Sequence, residues 1–274
     1  MPELPEVETI AKNLREGNGT PPIIGQRIIN FSTVWPRHVE YPCIQTFNKR
    51  IRNREVVDVT RRGKYLVFPL DQETLLVHLR MSGDLLLAPS QEPKGRFEHT
   101  IFNLDNGWDL RFSDARKFGR IGLYADPAVV LGRLGPEPLS PDFTQDQLAN
   151  MLLSRRRLLK PLLLDQSFLA GLGNIYTDEA LHQAGLHPMR ISNTLSNSEI
   201  GRLWKSIRDT LKMGLHNNGA SIDWVYRGGD FQYHFRVYKR EGEPCFKCGT
   251  QIQRTVVGGR GTHFCPRCQS EDQL

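Results

Sequence analysis

The chain has 274 residues, 39% of them hydrophobic and 24% charged, with a formal net charge of +6 and five cysteines. That length accommodates two domains with separate cores, and no apolar run reaches the roughly 20 residues that a bilayer span needs. The N-terminus lacks the basic-then-apolar pattern of a secretory signal, so a cytoplasmic, reducing setting is expected.

The basic excess is uneven. Residues 1–150 hold 19 Lys and Arg against 19 Asp and Glu, whereas residues 151–274 hold 17 against 11. A polyanionic partner for the second half accounts for this, as does a solvated basic face; charge alone does not separate the two.

The chain opens Met1-Pro2-Glu3-Leu4-Pro5-Glu6-Val7-Glu8. Pro2 is small enough for Met1 to be trimmed, which exposes a secondary amine with a carboxylate beside it. An α-amino group titrates near pH 8, so much of it is a free nucleophile at neutral pH. Condensed with an aldehyde carbon it yields an iminium, an electron sink for elimination, and Glu3 can supply a proton. By itself the stretch reads more readily as an ordinary start with a helix-entry proline than as a site. Leu4, Val7, Ile10, Ala11 and Leu14 recur at helical spacing before Gly17, predicting a helix over 5–16 that anchors the terminus.

From Gly25 to Tyr124 the pattern turns to short β-type runs: Arg27–Val34, Val56–Thr60, Tyr65–Leu70, Leu75–Leu79, Leu85–Leu87, Thr100–Leu104, Asp109–Phe112 and Ile121–Tyr124. Turn dipeptides such as Arg62-Gly63 and Asn106-Gly107 separate them, so a β-sandwich or barrel is expected. With no glycine-rich phosphate loop after a strand and no βαβ alternation, a nucleotide cofactor is not expected. Cys43, alone in an apolar context, reads as a buried small hydrophobe.

Gly135-Pro136-Glu137-Pro138-Leu139-Ser140-Pro141 marks a linker, and helical patterning follows. Thr144 with Gln147 caps a helix to about Ser154, Gly171-Leu172-Gly173-Asn174 leads into one ending near Ala184, and Ser196 with Glu199 opens one to about His216. Two helices joined through a glycine turn resemble a helix-turn-helix variant. Gly171 and Gly173 allow backbone amides to approach a phosphate or allow tight helix packing, and both readings stand. Residues 223–235, dense in aromatics and glycine, form either a loop that closes over a base or a surface loop.

Cys245, Cys248, Cys265 and Cys268 make a C-x2-C, 16-residue, C-x2-C array. Four thiolates at this spacing fit one tetrahedral Zn²⁺ with no open position, hence a structural ion. The segment between the pairs reads as a β-hairpin whose glycine-rich tip holds Arg260 on a short turn, suited to a phosphate or a narrow groove.

These motifs together resemble the formamidopyrimidine-DNA glycosylases of base-excision repair. The resemblance rests on Pro2-Glu3-Leu4-Pro5-Glu6-Val7-Glu8-Thr9, Arg61-Arg62-Gly63-Lys64-Tyr65-Leu66, His78-Leu79-Arg80-Met81-Ser82-Gly83, Asp114-Ala115-Arg116-Lys117-Phe118-Gly119, Leu134-Gly135-Pro136-Glu137-Pro138-Leu139, Gly171-Leu172-Gly173-Asn174-Ile175-Tyr176 and the cysteine array, in order along nearly the whole chain. It implies an α+β multidomain fold: an N-terminal catalytic β-sandwich with an N-terminal helix (1–131), a linker (132–141), a helix–two-turns–helix region (142–222), a connecting loop (223–240) and a zinc finger (241–274).

The implied activity is excision of oxidised purines, such as 8-oxoguanine and formamidopyrimidines, followed by nicking of the abasic site. Pro2 would attack C1′ of the lesion nucleotide and Glu3 would protonate the opening sugar. β,δ-Elimination would follow, with Lys64 assigned to the β step and Arg260 to the δ step. The target C1′ is hidden in a duplex, so the nucleotide must be flipped out. The resemblance assigns Met81, Arg116 and Phe118 to filling the gap, and Asn174 and Arg155 to the phosphate backbone. His78 keeps its family position, as a DNA contact or as a strand-end histidine bonding the backbone.

There are departures. Arg96-Phe97 stands where the family commonly has Lys-His, leaving His99 as a candidate replacement DNA contact. Lys117 replaces a common arginine, and the 223–235 loop is unusual in composition. The partner expected is damaged double-stranded DNA, met by a monomer. An endonuclease VIII-type enzyme for oxidised pyrimidines and a non-catalytic binder of damaged DNA are the alternatives.

Overall fold

Pro5 near its start and Gly17 (φ 79°) at its end bound the first helix, α1 (Leu4–Glu16), one residue longer than the periodicity predicts. Its start is closed by the Glu6 carboxylate, which accepts from the Glu3 amide at 2.7 Å. The stripe Val7, Ile10, Ala11 and Leu14 is buried in the core of the first unit.

In the computed structural model, which describes residues 1–222, 228–270 and 272, the chain divides into two units. The first comprises Met1–Arg133 with Ala220–Gly229, the second Leu134–Gly219 with Asp230–Leu274.

The first unit is a sandwich of two five-stranded sheets. The strands are β1 (Arg27–Thr33), β2 (Val39–Tyr41), β3 (Arg54–Glu55), β4 (Thr60–Arg62), β5 (Tyr65–Pro69), β6 (Thr74–His78), β7 (Gly83–Pro89), β8 (Glu98–Leu104), β9 (Trp108–Asp114) and β10 (Arg120–Tyr124). One sheet runs β3-β1-β8-β9-β7 and the other β2-β10-β6-β5-β4. Residues two apart share a face of a strand. Accordingly Leu85 and Leu87, Phe102 and Leu104, and Leu110 and Phe112 meet Leu66 and Phe68, Leu75 and Val77, and Ile121 and Leu123 in one core. Each such side chain contributes about 1.5–3 kcal/mol when fully buried.

Three expectations need correction. Val56–Thr60 is not a continuous strand: the ladder stops at Glu55 and resumes at Thr60, and Val56 makes only an isolated bridge to Leu70. A second helix, α2 (Ile44–Ile51), lies in a stretch whose periodicity was too short to register, and buries Phe47 and Ile51. Cys43 directly precedes it and is exposed, with Sγ 3.2 Å from Thr46 Oγ1. Ile44 beside it packs against the core and Phe47 is buried, while Cys43 itself stays outside.

A short helix α3 (Ala128–Leu131) closes the first unit's main segment. The second unit holds α4 (Gln145–Leu153), α5 (Leu159–Leu164), α6 (Asn174–Ala184), α7 (Asn197–His216) and the hairpin β11 (Gln253–Val257) and β12 (Arg260–Phe264). The expected caps form: Thr144 accepts from the Gln147 amide at 3.2 Å, and Ser196 with Glu199 makes a reciprocal capping box. Of the aromatic stretch 223–235, residues 223–227 lie outside the described residues.

Candidate active site and nucleic-acid interface

In the first unit Pro2 is buried at the mouth of α1, Glu3 is 2% exposed, and Met1 is exposed. Glu6 organises this end of the chain. One of its oxygens accepts from the Glu3 amide, and the other accepts from the Ala220 amide at 2.7 Å. The segment beginning at Ala220 is thereby fixed to the residue after the candidate nucleophile. Ser221 closes the neck of that segment: its hydroxyl donates to the Gly229 carbonyl at 2.8 Å and accepts from the Gly229 amide at 2.9 Å.

Lys64, 5% exposed, occupies the two-residue turn Gly63-Lys64 between β4 and β5, where Arg62 pairs with Tyr65. On the same hairpin Arg61 donates to Glu8 of α1 at 2.9 Å. That ion pair ties the turn presenting Lys64 to the helix presenting Pro2 and Glu3.

Met81 lies in the turn between β6 and β7, half-buried; Arg116 and Phe118 lie in the turn between β9 and β10, both exposed. The Arg116 guanidinium stacks over the Phe118 ring at 5.1 Å, a cation–π contact. His78 ends β6. Its Nδ1 accepts from the Arg80 amide at 3.0 Å, and its ring meets Tyr65 edge-on. Burial, with the Arg80 and Lys64 charges close by, pushes its pKa down to about 3, so the ring is neutral at pH 7.

His99 lies on β8 with Nε2 buried and, among the described residues, without a hydrogen-bond partner, its ring 6.1 Å from that of His38. Burial and then the charge of Lys117 lower its pKa. The Lys117 ammonium sits 4.6 Å over the Trp35 ring. At the departure Arg96-Phe97, the guanidinium stacks on Phe97 at 5.3 Å. That loop is held by the buried Arg111, which donates to the Pro89 and Glu92 carbonyls at 2.8 Å and to Glu98 at 3.1 Å.

In the second unit the hairpin tip is a two-residue turn, Gly258-Gly259, with φ of 57° and 75°. Both central residues of such a turn need positive φ, which glycine adopts without strain. Arg260 follows it, paired with Val257 and exposed. Two donors converge on the next carbonyl: Gly261 O accepts from Asn174 Nδ2 at 3.0 Å and from Lys160 Nζ at 2.9 Å. Lys160 also donates to Asp178 at 2.6 Å, and both are fully buried. The other Asp178 oxygen accepts from the His263 amide at 2.9 Å. Asn174 opens α6, and its Oδ1 is buried without a partner among the described residues. Arg155 lies just past α4, exposed, with its guanidinium 5.3 Å over the Phe168 ring.

The four cysteines form a metal centre. Their sulfurs lie within 4.8 Å of one another, Cys245 and Cys268 at 3.9 Å and Cys248 and Cys265 at 3.5 Å. Four Zn–S bonds of about 2.3 Å at tetrahedral angles separate sulfurs by about 3.8 Å, so the set fits one zinc ion and leaves no position open. Backbone amides of Lys247 and Cys268 reach Cys245 Sγ and Cys265 Sγ at 3.4 Å, and His182 Nε2 lies 3.5 Å from Cys245 Sγ.

Sequence reading gives Glu6, Ser82, Asp114, Lys160 and Asp178 no individual role at the site. Lone ionisable residues inside apolar or turn stretches, such as Lys160 within Leu158–Leu164, were the available signal.

Three family models match the chain. They are described as the formamidopyrimidine-DNA glycosylase N-terminal domain (residues 1–121), the formamidopyrimidine-DNA glycosylase H2TH domain (134–225) and a zinc finger found in FPG and IleRS (242–270). A formamidopyrimidine-DNA glycosylase from Herpetosiphon aurantiacus is 44% identical over 278 residues, covering 98% of this chain and 100% of its own. Two solved structures each superpose with a TM-score of 0.91 at 37% identity, covering 98% of this chain and 100% of theirs. One is MutM in complex with carbocyclic 8-oxo-G containing DNA; the other is Lactococcus lactis Fpg with an abasic site containing DNA.

Proposed function

The chain belongs to the formamidopyrimidine-DNA glycosylase family, and on that premise we propose how its own residues carry the activity. It is a DNA glycosylase that removes oxidised purines and cleaves the resulting abasic site, and it carries one structural zinc ion. The observation that carries the residue assignment is the Glu6 carboxylate, which fixes the Glu3 amide and the Ala220 amide at once. A chain end normally frays; this one is held as a catalytic group must be.

After Met1 is removed, the Pro2 nitrogen attacks C1′ of the lesion nucleotide. The C1′–N bond breaks, the base leaves with a proton, and an iminium forms between Pro2 and the opened sugar. Glu3 delivers the proton that opens the ring. The iminium draws electrons from the C2′–H bond, whose proton passes to water or a base, so the 3′ phosphate departs. A second elimination releases the 5′ phosphate, and water hydrolyses the iminium, freeing Pro2 and the sugar remnant and leaving a one-nucleotide gap. Lys64 serves the first elimination and a nearby phosphate, and Arg260 the second.

Met81, Arg116 and Phe118 fill the space left by the flipped nucleotide, a thioether and a stacked guanidinium–ring pair replacing lost base stacking. His78 acts through the Arg80–Met81 turn that it caps. Asn174 and Arg155 hold the phosphate backbone. His99 is assigned the smallest share of DNA contact, because its Nε2 is buried. The protein works as a monomer.

Borohydride reduction on duplexes carrying 8-oxoguanine, formamidopyrimidine or thymine glycol tests this reading. A covalent protein–DNA adduct is expected with the first two, from protein whose N-terminus mass spectrometry shows to be Pro2. No adduct from such protein would rule out the Schiff base; strongest trapping on thymine glycol would favour a pyrimidine enzyme.

A further inference from the structure

We infer that Asp114 is a positioning residue for the gap-filling side chains: with the Ser82 hydroxyl, its carboxylate fastens the turn carrying Met81 to the turn carrying Arg116 and Phe118. The inference rests on the reading above that those three side chains fill the vacated space.

The carboxylate is fully buried at the end of β9, where Gly83 and Asp114 are paired across the β7–β9 ladder. Its Oδ1 accepts from the Ser82 hydroxyl and lies 3.3 Å from the Arg116 amide; its Oδ2 accepts from the Gly119 amide at 2.7 Å. Ser82 Oγ in turn accepts from the Arg116 amide at 2.9 Å. One side chain thus holds both ends of the Arg116–Phe118 turn and reaches, through one hydroxyl, the residue next to Met81.

Both turns need such a fastening. Arg80 and Lys117 have φ of 54° and 62°, a backbone region that a β-carbon disfavours. They flank Met81 on one turn and separate Arg116 from Phe118 on the other. The Arg80 end is capped by His78, and the Lys117 amide donates to the Asp114 carbonyl at 3.2 Å. Gly119 admits the approach: a β-carbon there would stand 2.2 Å from the Phe112 ring and 3.1 Å from Asp114 Oδ2. Behind the carboxylate, His38 Nε2 lies 3.6 Å from Oδ2, and His38 Nδ1 lies 2.8 Å from the Thr100 hydroxyl. Both turns are thus fastened by the same carboxylate, and the Arg116–Phe118 stack stands on one of them.

Two variants test the role while leaving Met81, Arg116 and Phe118 in place. Asp114→Asn keeps the shape but cannot accept on both sides; Ser82→Ala removes only the bridging hydroxyl and decides the matter if the first does not fold. Each is assayed in single turnover for 8-oxoguanine excision from a duplex, and for nicking of a preformed abasic site in a single-stranded oligonucleotide. The latter has no stacked partner strand to refill.

Losing charge-assisted bonds should slow duplex excision about 10–100-fold in Asp114→Asn, and several-fold in Ser82→Ala, with single-strand nicking held within about twofold. Duplex excision at the wild-type rate in both variants would overturn the inference. So would equal losses on both substrates, the mark of a general structural defect. Phe118→Ala is the control for the underlying reading. Slow duplex excision by this variant beside normal Asp114→Asn and Ser82→Ala rejects the inference alone. Normal excision by Phe118→Ala removes the gap-filling reading and the inference with it.

Discussion

Asp114 and Asp178 are both fully buried, one in each unit, and each fixes a turn that the proposed function sets against DNA. They do so by different means. Asp114 is neutralised by dipoles, namely a hydroxyl and backbone amides, with His38 behind it. Asp178 is paired with a lysine ammonium, equally buried, which also reaches the carbonyl next to Arg260. A carboxylate held by backbone amides shapes the loop that supplies them. A carboxylate held by a lysine instead ties two helices to the hairpin through a buried ion pair, and the link fails if either charge is lost. The first arrangement suits a turn whose side chains must stand in a fixed array; the second suits docking a hairpin that has little core of its own.

The largest expected effect falls on the hairpin side. Chelating the zinc removes a binding energy of about 10–16 kcal/mol typical of structural sites. The amides of the β11–β12 ladder, Gln253 to Phe264, should lose their hydrogen-exchange protection and DNA affinity should fall, while the β7–β9 ladder ending at Asp114 stays protected. Full affinity after chelation would place the finger outside the binding surface.

Next comes Lys160→Met. It leaves the Asp178 charge buried and unpaired, and should cost about 3–5 kcal/mol in denaturant unfolding. If the cost is under about 1 kcal/mol, the pair behaves like an exposed one and the contrast with Asp114 collapses.

The smallest effect is on pH dependence, where two groups of the first unit separate. Burial alone would raise the Asp114 pKa, but His38, the Ser82 hydroxyl and the Gly119 amide outweigh it and hold the group at about 2. Its stabilisation is therefore full above the ordinary carboxylate value near 4 and is lost as pH falls through about 2. His78, depressed to about 3, stays neutral in the fold while the unfolded chain takes a proton below about 6.5. Stability should decline from about pH 6.5 down to about 3 on its account. Urea midpoints across this range should show both limbs. Ser82→Ala should move the lower limb to higher pH, and His78→Gln should flatten the upper one.

Much of this protein is legible without coordinates. The α1 stripe, most strands of the sandwich, the caps at Thr144 and Ser196 and the cysteine array all follow from signals within a few residues of one another: a period of 3.6 or 2, a capping pair, a ligand spacing. The same short range explains the failures. The ladder gap over 56–59 and the exposure of Cys43 depend on what packs opposite, which periodicity does not record. The groups that hold the candidate site in place lie further still beyond that range. Ser82 is 32 residues from Asp114, His263 is 85 from Asp178 and Ala220 is 214 from Glu6. The sequence by itself determined the candidate chemistry: a proline that becomes an amine once Met1 is removed, a carboxylate, two cations and four thiolates. Only the tertiary structure decided which buried carboxylates hold that chemistry in position, because a buried charge must find its partners wherever in the chain they lie.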